Sequence, residues 1–124
     1  MQLMRGMAEM EARAEEVSAL LTLMANPKRL LILCRLAEGE RSVGALAAAV
    51  GLSQSALSQH LARLREAGVV ATRREGQSIF YRLADERVRA VMDALYAVFC
   101  GGGAAALSTG AEGPASAGGP GVGG

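Results

Sequence analysis

Apolar residues recur near the start of the chain at Met7, Met10, Ala14, Val17, Leu21 and Met24, a 3-4-3-4-3 spacing. Steps of three and four keep side chains on one side of an α-helix, and this seam is of the kind that packs against another helix. The pattern predicts a first helix from about Met7 to Ala25. Asn26-Pro27 breaks it, because proline has no amide hydrogen for a helix interior but fits a first turn. A second helix, PKRLLILCRLAEG, is closed by Gly39. Leu30, Leu33, Leu36 and Ala37 form its stripe, and Leu31 and Ile32 widen it, so burial of most of this helix is expected.

Two further helices follow. VGALAAAV, Val43 to Val50, is short. After Gly51-Leu52-Ser53 comes a longer one, Gln54 to Ala67, with Leu57, Leu61 and Leu64 at i, i+4 and i+7 facing the core. Ser53 suits the N-cap, where its side-chain oxygen accepts from free amides of the first turn, and Gly68 suits the terminating position. The period then changes. VVATRR and SIFYRL are rich in β-branched and aromatic residues and are joined by Glu75-Gly76-Gln77, which predicts a β-hairpin. A last helix runs from Asp85 or Glu86 to about Cys100, with a seam of Val88, Val91, Leu95 and Val98 widened by Met92, Tyr96 and Phe99.

The expected fold is mainly α with a small β-hairpin: five helices and one hairpin in a single domain, residues 1–100. From Gly101 to Gly124 the chain is mostly Gly, Ala, Ser and Pro. Such a composition buries too little apolar surface to offset ordering, and a disordered tail is expected over 101–124. No apolar run approaches the roughly 20 residues of a membrane span. The start, MQLMRGMAEMEARAEE, has neither a continuous apolar stretch nor a cleavage site of a secretory signal. These features point to the cytosol, where the two cysteines, Cys34 and Cys100, are expected to rest as thiols.

The net charge of +1 says little, but its distribution says more. Residues 53–82 carry five arginines against two glutamates, a net of +3, whereas residues 1–24 carry two against four, a net of −2. The order of elements, a helix, a short Gly-containing turn, a helix and a basic hairpin, suggests a winged helix-turn-helix. With the leucines inward, Gln54, Ser55, Ser58 and Gln59 point outward near the start of the second of these helices. Their side chains are of the types that hydrogen-bond base edges. Arg63 and Arg65 lie further along, where phosphate contacts are expected; Arg73 and Arg74 flank the hairpin turn, within reach of the backbone or minor groove. His60, the sole histidine, is expected to contact backbone or phosphate at the surface rather than a metal. A solvated polar face is the plainer reading of the same residues, and a winged-helix module that binds only protein is a rival. No acid/base pair, nucleophile with a base, phosphate loop or cofactor fingerprint is present, so neither an enzyme nor a cofactor is expected.

The stretch from NPKRLLIL through GLSQSALSQHLARLREAGVV to RREGQSIFYRL resembles the ArsR-type winged-helix repressors, from about Ala25 to Phe99. That resemblance implies a homodimer built by the first and last helices, sitting on a pseudo-palindromic stretch of double-stranded operator DNA. The two apolar seams fit such a dimer independently, since each is wider than one small core needs. A two-fold dimer would place its reading helices about one helical turn, roughly 34 Å, apart.

Many members of the family release DNA on binding a metal, through a cysteine pair early in the third helix or Asp/His/His/Glu ligands on the last. Here RSVGALAAAV holds no cysteine and DERVRAVMDALYAVFC holds no histidine. Asp85, Glu86 and Asp93 alone make a poor site for zinc or copper. No metal is therefore expected, although a repressor answering to a metal or metalloid stays the alternative. The chain is most similar to the sulfide- and persulfide-responsive branch (BigR- and SqrR-like), through RLLILC and a last helix ending in an aromatic residue and cysteine. That likeness implies that Cys34 and Cys100 become bridged by reactive sulfur species or an oxidant, as a disulfide or a longer sulfur chain. Two cysteines that only pack as small apolar side chains are the competing possibility.

Overall fold

The computed structural model describes residues 2–101, with side chains from residue 6 onward. Apart from Gly101, the Gly- and Ala-rich tail lies outside the described residues. Five helices and three strands follow in the order α1 (Gln2–Met24), α2 (Pro27–Glu38), β1 (Arg41–Ser42), α3 (Val43–Val50), α4 (Gln54–Glu66), β2 (Val70–Glu75), β3 (Ser78–Leu83) and α5 (Glu86–Phe99). The first helix thus begins earlier than its apolar seam suggests.

Helix starts are set by side-chain caps. Asn26 accepts from the amides of Lys28 and Arg29, Ser42 from Ala45, Ser53 from Ala56, and Asp85 from Arg87. Each cap satisfies amides that a helix start leaves without partners. The turn between α3 and α4 depends on Gly51, whose φ of 69° is left-handed and strained for residues with a Cβ. Gly76, at φ 63°, likewise begins the two-residue link between β2 and β3.

The core is one cluster. Ile32, Leu33 and Leu36 of α2 meet Leu46, Ala47 and Val50 of α3 and Leu57, Leu61 and Leu64 of α4. Val69, Val70 and Leu83 close it from the hairpin, and Val88 and Met92 from α5. Leu31 departs from expectation: it stays about half exposed, because the buried stripe of α2 passes through its neighbours Ile32 and Leu33. The sheet is antiparallel in the order β1-β3-β2. The two-residue β1, too short to announce itself by alternation, pairs Arg41 with Tyr81 and Ser42 with Phe80.

The α1 helix joins this core only through its last turns, where Met24 is buried and Leu20 and Leu23 pack alongside. An ion pair from Arg87 to Glu16 at 2.7 Å sets α1 beside α5. The rest of its seam is open, with Met7, Met10 and Leu21 each about half exposed. On α5, Tyr96, Val98 and Phe99 are also exposed, Phe99 at 78%. No single helix among the described residues is long and apolar enough to cross a membrane.

Candidate nucleic-acid interface and thiol site

The α4 helix is held to the core by Leu57, Leu61 and Leu64, and this rotation turns Gln54, Ser55, Ser58, Gln59, Arg63 and Arg65 to the surface. Hydrogen-bonding side chains occupy the first two turns and guanidinium groups the last. Lys28 donates to the carbonyl of Val50 at 3.0 Å, satisfying the end of α3 and fastening it to α2. Between α4 and the hairpin runs a cleft of about 440 Å³ lined by Ser58, Ala62, Arg65, Glu66 and Tyr81. Tyr81 was not singled out by sequence reading; only the pairing of β3 with β2 carries it to this cleft.

His60 is placed differently from its neighbours. It is half-buried, and its Nδ1 lies 3.5 Å from Nη1 of Arg29 on α2. Arg29 also donates to the carbonyl of Leu23 at 2.6 Å, so it bridges the end of α1 and the middle of α4. Burial, then the positive charges of Arg29 and Arg63, holds the His60 imidazole below its ordinary pKa.

The two hairpin arginines part company. Alternation along a strand sends adjacent side chains to opposite faces. Arg74 shares its face with Tyr81 and the buried Val70 and Leu83, the face that lines the cleft toward α4. Arg73 shares the other with Phe80, and its guanidinium stands 4.6 Å from that ring's centre. There it donates to both carboxylate oxygens of Glu40 at 2.8–3.0 Å and to Glu75 at 2.9 Å. The Arg73 hydrogen bond holds the Glu40 carboxyl below its usual range. Arg82 also lies on the Arg73 face and is exposed.

The thiols lie on α2 and α5. Cys34, half-buried on α2, lines a cavity of about 230 Å³ with Ala37, Glu38, Met92, Asp93 and Tyr96. Cys100 is exposed at the C-cap of α5, its amide donating to the Tyr96 carbonyl at 2.8 Å. Burial pushes the Cys34 thiol above its ordinary pKa, and negative charge on Cys100 and on Glu38 pushes the same way, against Arg35. Both residues are free thiols. Asp85 and Glu86, at the other end of α5, stay apart from this cavity, Asp85 being held by Arg87 at 2.7 Å.

Two helices joined by a tight glycine turn, the second presenting a polar face beside a basic hairpin, define a winged helix-turn-helix DNA-binding protein. Residues 26–72 match the family described as bacterial regulatory protein, arsR family. The chain is 54% identical over 91 residues to the biofilm growth-associated repressor of Agrobacterium fabrum, covering 73% of this chain and 78% of that one. The crystal structure of the transcriptional repressor BigR from Xylella fastidiosa superposes with a TM-score of 0.72 at 47% identity, covering 75% of this chain and 95% of that one. A solution structure described as a homodimeric winged helix-turn-helix DNA-binding domain, from Mycobacterium bovis, gives 0.64 at 32% identity over 85% and 93%. The chain belongs to the arsR family of bacterial regulatory proteins and is a DNA-binding transcriptional regulator.

Proposed function

We propose that the protein is a homodimeric repressor of a pseudo-palindromic operator, released when Cys34 and Cys100 are bridged by reactive sulfur species or an oxidant. The observation that carries this reading is the placement of Cys34 in a cavity between α2 and α5, the helix that Cys100 caps. A bridge there would tie the end of α5 to α2, the helix that also holds α3 and α4 through Lys28 and Arg29. Such a tie favours one arrangement of the reading heads over another, as a switch requires.

The chemistry balances. A cysteine thiolate attacks the outer sulfur of a low-molecular-weight persulfide, becomes a protein persulfide and expels the parent thiolate. The second thiolate then attacks the sulfur bonded to carbon, forming a disulfide and expelling hydrosulfide. If both cysteines are first persulfidated, the same attack leaves a trisulfide. The open seam of α1 and the exposed Tyr96, Val98 and Phe99 at the end of α5 support the dimer. Gln54, Ser55, Ser58 and Gln59 serve as base-reading side chains, with Arg63, Arg65 and Arg74 on phosphates.

The test uses a duplex selected from a random library by the reduced protein. Treatment with a persulfide donor should lower its affinity at least tenfold, and mass spectrometry should find Cys34 and Cys100 joined. Cys34→Ser and Cys100→Ser should each keep DNA binding and lose the response. Variants that respond as the parent does would sink the thiol switch.

A further inference from the structure

We propose that Arg73 is not a DNA ligand but a positioning residue, which with Glu40 and Phe80 clamps the wing to the end of α2 so that Arg74 alone faces the phosphate backbone beside α4. The inference rests on the DNA-binding reading and refines which wing arginine takes part.

Three observations carry it. The first is direction: the register Arg73 with Phe80 and Arg74 with Ile79 places the two guanidinium stems on opposite faces of the hairpin. Only the Arg74 face continues into the cleft that Ser58, Arg65 and Tyr81 line. The second is occupancy. The Arg73 guanidinium spends Nε and Nη2 on Glu40 and Nη1 on Glu75, while its plane covers the Phe80 ring. A phosphate at Arg73 would find only the outer hydrogens of Nη1 and Nη2 and would meet the negative charge of two carboxylates. The third is reach. Glu40 lies 33 positions earlier in the chain, just past the last residue of α2, and β1 begins at the next residue. The contact therefore fixes the hairpin not merely to itself but to the helix that carries Cys34. Glu38, at the end of that helix, lines the Cys34 cavity and pairs with Arg41 at 2.6 Å. Arg41 in turn pairs with Tyr81 of β3. The short segment 38–42 thus holds the wing by the β1–β3 pairing and the Glu40–Arg73 clamp, while the Glu38–Arg41 ion pair ties α2 to β1.

The clamp makes predictions opposite to those of a phosphate contact. Affinity for the selected duplex is measured over a series of salt concentrations for the full chain and its variants. Arg73→Gln and Glu40→Gln should each weaken binding about two- to five-fold per protomer, the range an exposed pair supplies, with the salt slope unchanged. Combining them should be no worse than either alone. The exchanged pair, Glu40→Arg with Arg73→Glu, should recover most of the loss, which a general loss of structure would not allow. Arg74→Gln should instead lower the salt slope by about one per protomer. Tighter binding by Glu40→Gln, a reduced salt slope in Arg73→Gln, or binding by the exchanged pair below both single variants would each overturn the proposal. Absence of any selected duplex for the parent would instead strike at the DNA-binding reading itself, so the two failures are distinguishable.

Discussion

Arg73 and Arg74 are neighbours of the same type, yet one is held by carboxylates and the other lines the face toward the reading helix. Strand alternation separates them, and no property of the residues themselves does. His60 makes the same point on α4, where its ring turns back toward Arg29 while Ser58 and Gln59 stay exposed. Its pKa is depressed, first by burial and then by Arg29 and Arg63. The folded state therefore binds this proton less tightly than the unfolded chain. That contribution to stability is present above the ordinary pKa of 6.5 and is lost as pH falls through the lower folded value. Thermal melts between about pH 7.5 and 5 should show the parent losing stability on acidification, and His60→Gln should show a smaller loss. Glu40 and Asp85, whose pKa values are also lowered, lose their contributions at more acid pH, because their ordinary values are 4.5 and 3.8. An unchanged pH dependence in His60→Gln would refute the assignment.

At the scale of elements, α4 is decided by its ends and its stripe. Ser53 closes the first turn through the Ala56 amide at 3.1 Å. The same turn carries Gln54 and Ser55, so the cap both stabilises the helix and fixes two exposed hydrogen-bonding side chains. Ser53→Ala should lower unfolding free energy by about 1 kcal/mol in chemical denaturation, the usual worth of such a cap. Binding to the selected duplex should weaken alongside. The stripe behaves differently: Leu57, Leu61 and Leu64 are essentially inaccessible, at 0%, 1% and 0% exposure. The i, i+4, i+7 leucines were enough to assign that face from sequence, because a helix in a small domain has one core to meet. On α2 the same logic overreached at Leu31, since six apolar side chains in a row of eight cannot all face inward on one helix.

At the scale of the whole molecule, the exposed apolar side chains of α1 and of the end of α5 dominate. Tyr96, Val98 and Phe99 on α5, with Met7, Met10 and Leu21 on α1, leave more large apolar side chains exposed than a lone chain of this size has reason to keep. Phe99→Glu touches no buried core position, since Phe99 is among the most exposed large side chains. In analytical ultracentrifugation it should shift the proposed dimer to monomer, with helical content by circular dichroism retained. Binding to a two-half-site duplex should fall by at least tenfold, because both reading helices are then no longer held together. A dimeric Phe99→Glu protein would remove α5 from the interface.

Sequence alone determined the order of the five helices and the hairpin, the cap at Ser53, the inward leucines of α4 and the exposed polar cluster from Gln54 to Gln59. All of these follow from local rules: a period of 3.6 or 2, the turn chemistry of glycine and proline, and the need to satisfy helix-end amides. It did not reveal β1, whose two residues carry no periodicity, or the roles of Tyr81 and Glu40, which arise from pairing between distant segments. Cys34 and Cys100 show the division most plainly. Their residue type and helix positions could be read from the chain, but only the packing of α5 on α2 brings the cavity lined by Cys34 into being. Which helix closes over Cys34 is a property of the fold, because nothing in local backbone chemistry encodes which distant helices meet.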